Sequence, residues 1–437
     1  MTSAPVGPLI CKLAVPTVTI MLVSGLYNMA DTYFVSSLGT SATAGVGVVF
    51  SFMAIIQAVG FFFGHGSGNF ISRSLGAQKI DAAQKMAATG FFSAFGAGVI
   101  IAVLGTIFMR PFARLLGSTD TILPYALEYL RYILLGAPFM VSSLMLNNIL
   151  RYQGSAVFGM IGMTSGAVIN IALDPLFIFV FDMGVRGASL ATMISQCISF
   201  SLLLLVSCRG KGNLKISFKN FSPKAAHYRE IIRGGTPSLL RQGMSSVATL
   251  FLNHAAGVYG DAVIAAISIV NRVTIMINST TIGLGQSFQP VCGFNFGAKE
   301  FDRVKKAFFF CLRITTAGLV VLSALCFIFA PAIIAQFRGD DEAVIRIGVF
   351  MLRANCLALP FSAWTFLVGV TTQTIGKALP ASLIAFSRQG LFLIPQLFFV
   401  VPVLGVLGIQ ISAPIAEICS FILALGIGIR TLRRDLV

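Results

Sequence analysis

Charged residues are scarce in this chain, and their scarcity excludes an ordinary soluble domain. Only 11% of the 437 residues are Asp, Glu, Lys or Arg, whereas soluble domains carry about 25%. Apolar residues make up 56% of the chain, and the mean hydropathy is +0.89. Apolar stretches near the length of a bilayer span recur from end to end, without the alternation of a transmembrane barrel. The sequence predicts an all-α polytopic membrane protein.

Motifs of the common enzyme and metal sites are also lacking. The eight cysteines are scattered without a C-x-x-C pair, and no H-E-x-x-H motif occurs, which disfavours a disulfide or metal framework. The segment "GHGSG" at 64–68 is only superficially similar to a nucleophile loop, because no strand precedes Ser67. One acidic half also disfavours a symmetric channel filter. We therefore expect neither an enzyme nor a bound cofactor.

Twelve apolar spans are predicted, and the charges between them set the topology. The spans cover residues 10–35, 43–65, 86–108, 123–147, 157–181, 187–208, 234–257, 263–288, 306–332, 344–370, 380–402 and 406–429. Segments on the side of the N-terminus carry 20 Lys and Arg residues, and those on the other side carry four. By the positive-inside rule, both termini are cytoplasmic and the protein lies in the inner membrane. The net charge of +16 therefore indicates topology, and we expect no nucleic-acid partner.

The two halves of the sequence resemble each other at a nearly constant offset. "LGAQKIDAAQKMA" (75–87) matches "FGAKEFDRVKKAF" (296–308) at an offset of 221. "LRYILLGAPF" (130–139) matches "LRANCLALPF" (352–361) at an offset of 222. The repeat gives six spans in each half, and because six is even, both halves begin on the same side of the membrane. Such parallel repeats are related by a pseudo-two-fold axis along the membrane normal.

The repeat also defines the domains. Residues 1–208 form an N-terminal six-helix lobe, residues 209–233 a basic cytoplasmic linker, and residues 234–437 a C-terminal six-helix lobe. Two lobes joined by one polar linker favour a transporter that works by alternating access, in which the lobes rock around a central cavity.

Only three acidic residues fall well inside the spans: Asp31, Asp174 and Glu417. A charge at the bilayer centre costs roughly 2.5–3.5 kcal/mol on insertion scales, so such residues usually face the protein interior and act in ion or proton pathways. The alternative is a protonated or hydrogen-bonded carboxyl group that holds two helices together. Both interpretations remain open from the sequence.

Polar neighbours surround the first two acids. Tyr27 and Asn28 lie four and three residues before Asp31, so all three share one face of the first span. In "AVINIALDPLFIF", Asn170 and Asp174 are four apart and again share a face.

Pro175 follows Asp174 directly and is predicted to kink the fifth span and free a carbonyl group. Asn147 and Thr192 can supply further oxygens. The sequence therefore predicts a site for a proton or a hard cation in the first lobe.

The second lobe does not repeat these acids. Asp31 maps onto Leu252, and Asp174 maps near Ile394. The spans of the second lobe instead carry arginines, at positions Arg241, Arg272, Arg313 and Arg388. This asymmetry predicts one coupling site, in the first lobe. Because of these arginines, an alternative function stays open: a flippase for a lipid-linked or other amphipathic anionic substrate.

The motifs "YNMADTYFVSSLG" and "NIALDPLFIF", together with G-A-[QK] loops after spans two and eight, resemble the MATE (multidrug and toxic compound extrusion) transporters. The resemblance implies an antiporter in the lipid bilayer that is coupled to H⁺ or Na⁺ and exports diverse lipophilic, often cationic compounds. We expect it to act as a monomer. Some members carry a functional acid in span seven, where "GTPSLLRQGMSSVATLFLN" has none.

The resemblance also implies roles for individual residues. The coupling cation would be bound by Asp31, Asp174, Asn170, Asn147 and Thr192. If that cation is Na⁺, its ligands would be Asp31, Asn170, Asp174 and Thr192. Further residues are candidates for the substrate cavity: Tyr27, Asn28, Tyr129, Glu417 and Arg388.

Overall fold

The computed structural model describes residues 1–209, 214–337 and 341–436, and these residues form helices joined by short turns, without a β-strand. The first half contains α1 (Val6–Ser36), α2 (Thr40–Gly76), α3 (Ile80–Ile107), α4 (Met109–Leu115), α5 (Leu123–Tyr152), α6 (Ala156–Pro175) and α7 (Gly184–Cys208). The second half contains α8 (Ala225–Gly257), α9 (Asp261–Gly297), α10 (Phe301–Ile328), α11 (Ala330–Phe337), α12 (Glu342–Thr374), α13 (Ala378–Phe386), α14 (Ile394–Phe399), α15 (Val401–Leu404) and α16 (Val406–Arg434).

Long apolar helices account for the predicted membrane spans. Within the described ranges, 11 helical segments are long and apolar enough to cross a membrane by length and composition. The remaining long helix, α8, has 33 residues and is more polar. The predicted all-α polytopic fold is confirmed. Helix α2 continues to Gly76, beyond the apolar run, because its last turns bury polar residues such as Asn69 and Ser72.

The chain divides into two compact units. The first unit comprises Met1 and Val15–Leu239, and the second comprises Thr2–Ala14 and Leu240–Val437. In the first unit, α5 is the central helix and packs against α2, α3 and α7. In the second unit, α12 is central and packs against α9, α10 and α16. Each unit therefore has its own core around one buried helix.

The internal repeat is visible in the backbone as well as in the sequence. Residues with a positive φ recur in pairs at offsets of 221 or 222: Gly39 (109°) with Gly260 (99°), Gln78 (60°) with Lys299 (62°), Gly154 (87°) with Gly376 (89°), and Gly184 (54°) with Gly405 (60°). Positive φ is uncommon outside glycine, so the pair Gln78 and Lys299 is the most informative. Equivalent turns therefore connect equivalent helices in both halves.

Two short helices also repeat, although the sequence analysis did not predict them. Helix α4 has 7 residues and α11 has 8, and their first residues are again 221 apart. Both follow the third long helix of their half. They are too short to cross a bilayer, which is why a search for apolar spans passes over them.

The "GHGSG" segment lies inside α2, where Gly64 and Gly68 face α5 and Gly66 faces the backbone of Ile231 in α8. Gly60 lies one turn earlier on the face of Gly64 and Gly68. A Cβ atom added to any of these three would collide with a side chain of α5: Gly60 faces Leu144, Gly64 faces Asn148 and Gly68 faces Tyr152. Glycines spaced four apart thus form a flat stripe that lets two helices approach closely, as is common in membrane proteins. Ser67 is fully buried on the same helix, and no strand precedes it. The segment is a packing motif.

Replacing Gly68 with alanine is expected to destabilise the first unit. The new Cβ would lie 2.1 Å from Cδ2 of Tyr152, and such overpacking typically costs about 1–3 kcal/mol. Gly47→Ala is the matched control, because Gly47 lies on the same helix with nothing within 4 Å of an added Cβ. The apparent melting temperature in detergent should fall for Gly68→Ala and hold or rise for Gly47→Ala. Equal melting temperatures for the two variants would contradict this packing.

Candidate cation-binding site

Four helices of the first unit bring polar side chains together. Helix α1 supplies Asp31, α5 supplies Tyr129, α6 supplies Asn170 and Asp174, and α7 supplies Thr192. Asp174 occupies the last turn of α6, directly before Pro175. There the chain passes into a π-helical segment, Leu176–Val180, since proline cannot donate the backbone hydrogen bond of a regular turn. The sequence thus places the acid at an irregularity of the helix.

Hydrogen bonds link these side chains. The Tyr129 hydroxyl donates to Oδ2 of Asp31 over 3.2 Å. The Asn170 amide donates to Oδ1 of Asp174 over 3.2 Å and contacts Oγ1 of Thr192 at 3.3 Å. Each acid is therefore held by one donor, and Thr192 lies against the amide that holds Asp174.

Three oxygen atoms of this cluster have no hydrogen-bond partner among the described residues. Asp31 and Asn170 are each 1% exposed, and Asp174 is 0% exposed. Oδ1 of Asp31, Oδ1 of Asn170 and Oδ2 of Asp174 are buried without a hydrogen-bond partner among the described residues. No Lys or Arg of the described ranges forms a salt bridge with either acid. Buried polar oxygens normally have partners, so these three are candidates for binding a proton or a cation.

Both carboxyl groups are buried in the same unit, Asp31 on α1 and Asp174 on α6. Two negative charges in one buried place repel each other, and the low dielectric strengthens the repulsion. A single positive charge between them removes it.

A small cavity, lined in part by polar side chains, adjoins the cluster. It has a volume of about 40 Å³ and is lined by side chains that include Tyr27, Asn170, Thr192 and Ser195. The Ser195 hydroxyl is buried without a partner among the described residues. A water molecule occupies roughly 30 Å³ of liquid volume, so the cavity has room for about one water molecule. It has no room for a drug-sized molecule.

The structure does not bring every candidate residue into this cluster. Asn147 lies against Gly159, where an added Cβ would be 2.4 Å from its Oδ1. Gly159 precedes Asn170 by eleven residues on α6, which is about 16 Å along a helix. Tyr129, by contrast, is fully buried and joins the cluster. Asn28 is exposed, although it shares α1 with Tyr27 and Asp31.

Glu417 and Arg388 belong to the second unit and are bonded to each other. Nη1 of Arg388 donates to Oε2 of Glu417 over 3.1 Å. The Glu417 side chain is 9% exposed and that of Arg388 is 40% exposed. The carboxylate is thus neutralised by a guanidinium, which makes it a poor ligand for a further cation.

The MatE family model matches residues 16–176 and 237–398, one match in each half of the repeat. The chain belongs to the MatE family. The resemblance drawn from the sequence motifs is thereby confirmed, and the matches cover the elements that carry Asp31, Asn170 and Asp174.

Relatives of this MatE chain include two multidrug export proteins named MepA. The protein from Staphylococcus haemolyticus is 29% identical over 406 residues, which cover 92% of this chain and 88% of the relative. The protein from Staphylococcus saprophyticus is 28% identical over 412 residues, covering 93% and 90%. Both alignments run through nearly the whole length of each protein.

Solved structures of MATE proteins share this fold. A crystal structure of MATE in complex with MaL6 superposes with a TM-score of 0.93 at 26% identity, covering 98% of this chain and 97% of that chain. A MOP superfamily transporter from Pyrococcus furiosus, described as having a binding pocket of reverse polarity, also gives a TM-score of 0.93 at 26% identity, covering 99% and 97%. The chain is a multi-pass membrane protein with the architecture of MATE transporters.

Proposed function

We propose that this MATE transporter is an antiporter that exports several lipophilic, often cationic drugs in exchange for H⁺ or Na⁺. The family and the multidrug export relatives support export of small molecules. Both also agree with a transporter that is not an enzyme. The cluster around Asp31 and Asp174 is the proposed site of the coupling cation. The protein would act as a monomer in the cytoplasmic membrane, with both termini on the cytoplasmic side.

The observation that carries this proposal is the set of three buried oxygens without partners. A carboxyl group that only holds two helices together would form hydrogen bonds through both of its oxygens. Leaving a buried polar atom without a partner costs roughly 1–3 kcal/mol. Here each acid keeps one oxygen free, and so does the amide between α6 and α7. Carboxylate, amide and hydroxyl oxygens are the ligands that hard cations prefer. Protonation would instead remove the negative charge of the two carboxyl groups and turn one oxygen of each into a hydrogen-bond donor.

Coupling follows from the electrostatics of the two acids. A cation or a proton would cancel the repulsion between Asp31 on α1 and Asp174 on α6 and allow these helices to pack closely. Its release would restore the repulsion and favour a second arrangement of the same unit. A bound ion shifts such an equilibrium only through its different affinity for the two arrangements. Binding of the lipophilic cation to the other arrangement would give exchange.

Transport should depend on an imposed ion gradient. Uptake of ethidium into everted membrane vesicles, which corresponds to export from the cell, is measured with either a proton gradient or a sodium gradient, and vesicles without the protein are the control. We expect one gradient to drive ethidium movement and an ionophore that collapses that gradient to stop it. Ethidium movement that is equal with and without both gradients would contradict the proposal.

A further inference from the structure

The second unit contains a cavity that is much larger than the one beside Asn170 and Thr192. Its volume is about 430 Å³, and its wall is built from α8, α9, α12, α16 and the π-helical segment Ser387–Leu393. Ligand pockets for drug-sized molecules usually have about 300–1,000 Å³. All lining residues lie between 245 and 417, so the cavity is formed by the second unit alone.

The charged residues of this cavity leave a positive surplus. Arg272, Arg388 and Glu417 line it, and the single carboxylate is bonded to Arg388. No acidic residue of the described ranges forms a salt bridge with Arg272. The Arg388 side chain is 40% exposed. Its guanidinium group carries five N–H donors, which is more than the bond to Glu417 uses. The cavity therefore presents guanidinium donors that suit an anion.

The remaining wall combines amides with apolar side chains. Asn253, Asn271, Asn278 and Gln389 supply side-chain donors and acceptors. Leu252, at the position that corresponds to Asp31 in the first half, is buried and forms part of the apolar wall, as does Met351. A ligand that fits this lining has an acidic head for the arginines and an apolar body.

We propose that this cavity binds an amphipathic organic anion, or the anionic end of a zwitterion, with Arg272 and Arg388 on its acidic group. Guanidinium groups bind carboxylates and phosphates by charge-assisted, often bidentate hydrogen bonds. Glu417 orients Arg388 and competes with the ligand for it. This inference goes beyond the coupling site of the first unit and needs no ion gradient, so it fails or holds separately from the proposed antiport.

Dansylglycine is a suitable probe, because it joins a carboxylate to an apolar fluorophore. The full-length protein is placed in nanodiscs of phosphatidylcholine, and binding is followed by dansyl fluorescence. The methyl ester of dansylglycine has the same body without the charge. Hydrogen bonds to charged groups contribute roughly 1.5–3 kcal/mol, so we expect the acid to bind at least about tenfold more tightly than the ester. Equal affinities of acid and ester would overturn the proposal.

Substitutions locate the binding. Arg272→Gln and Arg388→Gln should each weaken dansylglycine binding about tenfold and leave binding of the ester unchanged, which also shows that the cavity is intact. Arg388→Lys keeps the charge and should retain part of the affinity. Arg313→Gln is the matched control, because Arg313 is an exposed arginine of the same unit that does not line the cavity. If all three glutamine variants bind dansylglycine like the unsubstituted protein, the site does not exist.

The anion could come from solution or from the headgroup of a lipid. Nanodiscs that contain one third phosphatidylglycerol distinguish the two sources. A lipid headgroup that occupies the cavity would compete with dansylglycine and weaken its binding, and this competition should vanish in Arg272→Gln. Unchanged binding in these nanodiscs assigns the cavity to soluble anions.

Discussion

Asp174→Asn and Asp31→Asn are each expected to abolish ion-driven ethidium efflux, which everted vesicles report as uptake into their lumen. Asparagine has the shape of a protonated aspartate but cannot acquire a negative charge. The site would then have only one carboxylate, so the repulsion that a coupling ion relieves would be absent. Efflux at matched expression should fall to the level of vesicles without the protein, whichever of the two gradients drives the unsubstituted protein.

A control separates the loss of coupling from the loss of any acidic residue. Asp120→Asn removes an exposed carboxylate that pairs with Arg114 at the surface, and such surface pairs contribute little to stability. This variant should export ethidium normally. If the two buried acids only hold helices together, their asparagine variants should lose thermal stability while the folded fraction still exports ethidium. That outcome would move the search for the coupling site elsewhere.

Most of the fold could be predicted from the sequence, because a bilayer imposes a length on every apolar helix. The span predicted at 123–147 is the core of α5, and the span predicted at 406–429 begins with α16 at Val406. The helix ends could not be predicted as well. Outside the apolar core, helices such as α2 continue through residues whose burial depends on tertiary packing, and hydropathy carries no information about that packing.

The candidate site shows a similar division. Spacing along one helix correctly grouped Asn170 with Asp174, because residues four apart share a face. Spacing does not give the depth at which different helices meet. Asn147 follows Tyr129 by eighteen residues on α5, roughly 27 Å along the helix, so only one end of α5 reaches Asp31. That end carries Tyr129, and no local pattern in the sequence marks it as the partner.

The pairing of Arg388 with Glu417 could not be predicted from the sequence either. The two residues are 29 positions apart on different elements, so no helical periodicity relates them. The sequence places both inside spans, and each is interpretable there as a functional charge. Only the tertiary structure shows that one neutralises the other.

Asn170→Leu is expected to reduce ion-driven efflux at least about tenfold. The Asn170 amide holds Asp174 and contacts Thr192, and its free Oδ1 is one of the three unpartnered oxygens. Leucine has a similar size but offers neither group. Losing a hydrogen bond to a charged group costs roughly 1.5–3 kcal/mol, which corresponds to about a tenfold or greater loss of ion affinity. The half-saturating concentration of the driving ion in efflux assays measures that loss.

Graded substitutions show whether Asn170 acts on the ion or only on the fold. Thr192→Val removes one hydroxyl that touches the amide and should raise the half-saturating ion concentration less than Asn170→Leu does. Asp120→Asn is the control, since Asp120 is an exposed polar residue of the same unit outside the cluster, and it should behave like the unsubstituted protein. An ion ligand predicts that raising the ion concentration restores efflux in Asn170→Leu. A purely structural residue predicts a lower maximal rate at every ion concentration, and that result would remove Asn170 from the site.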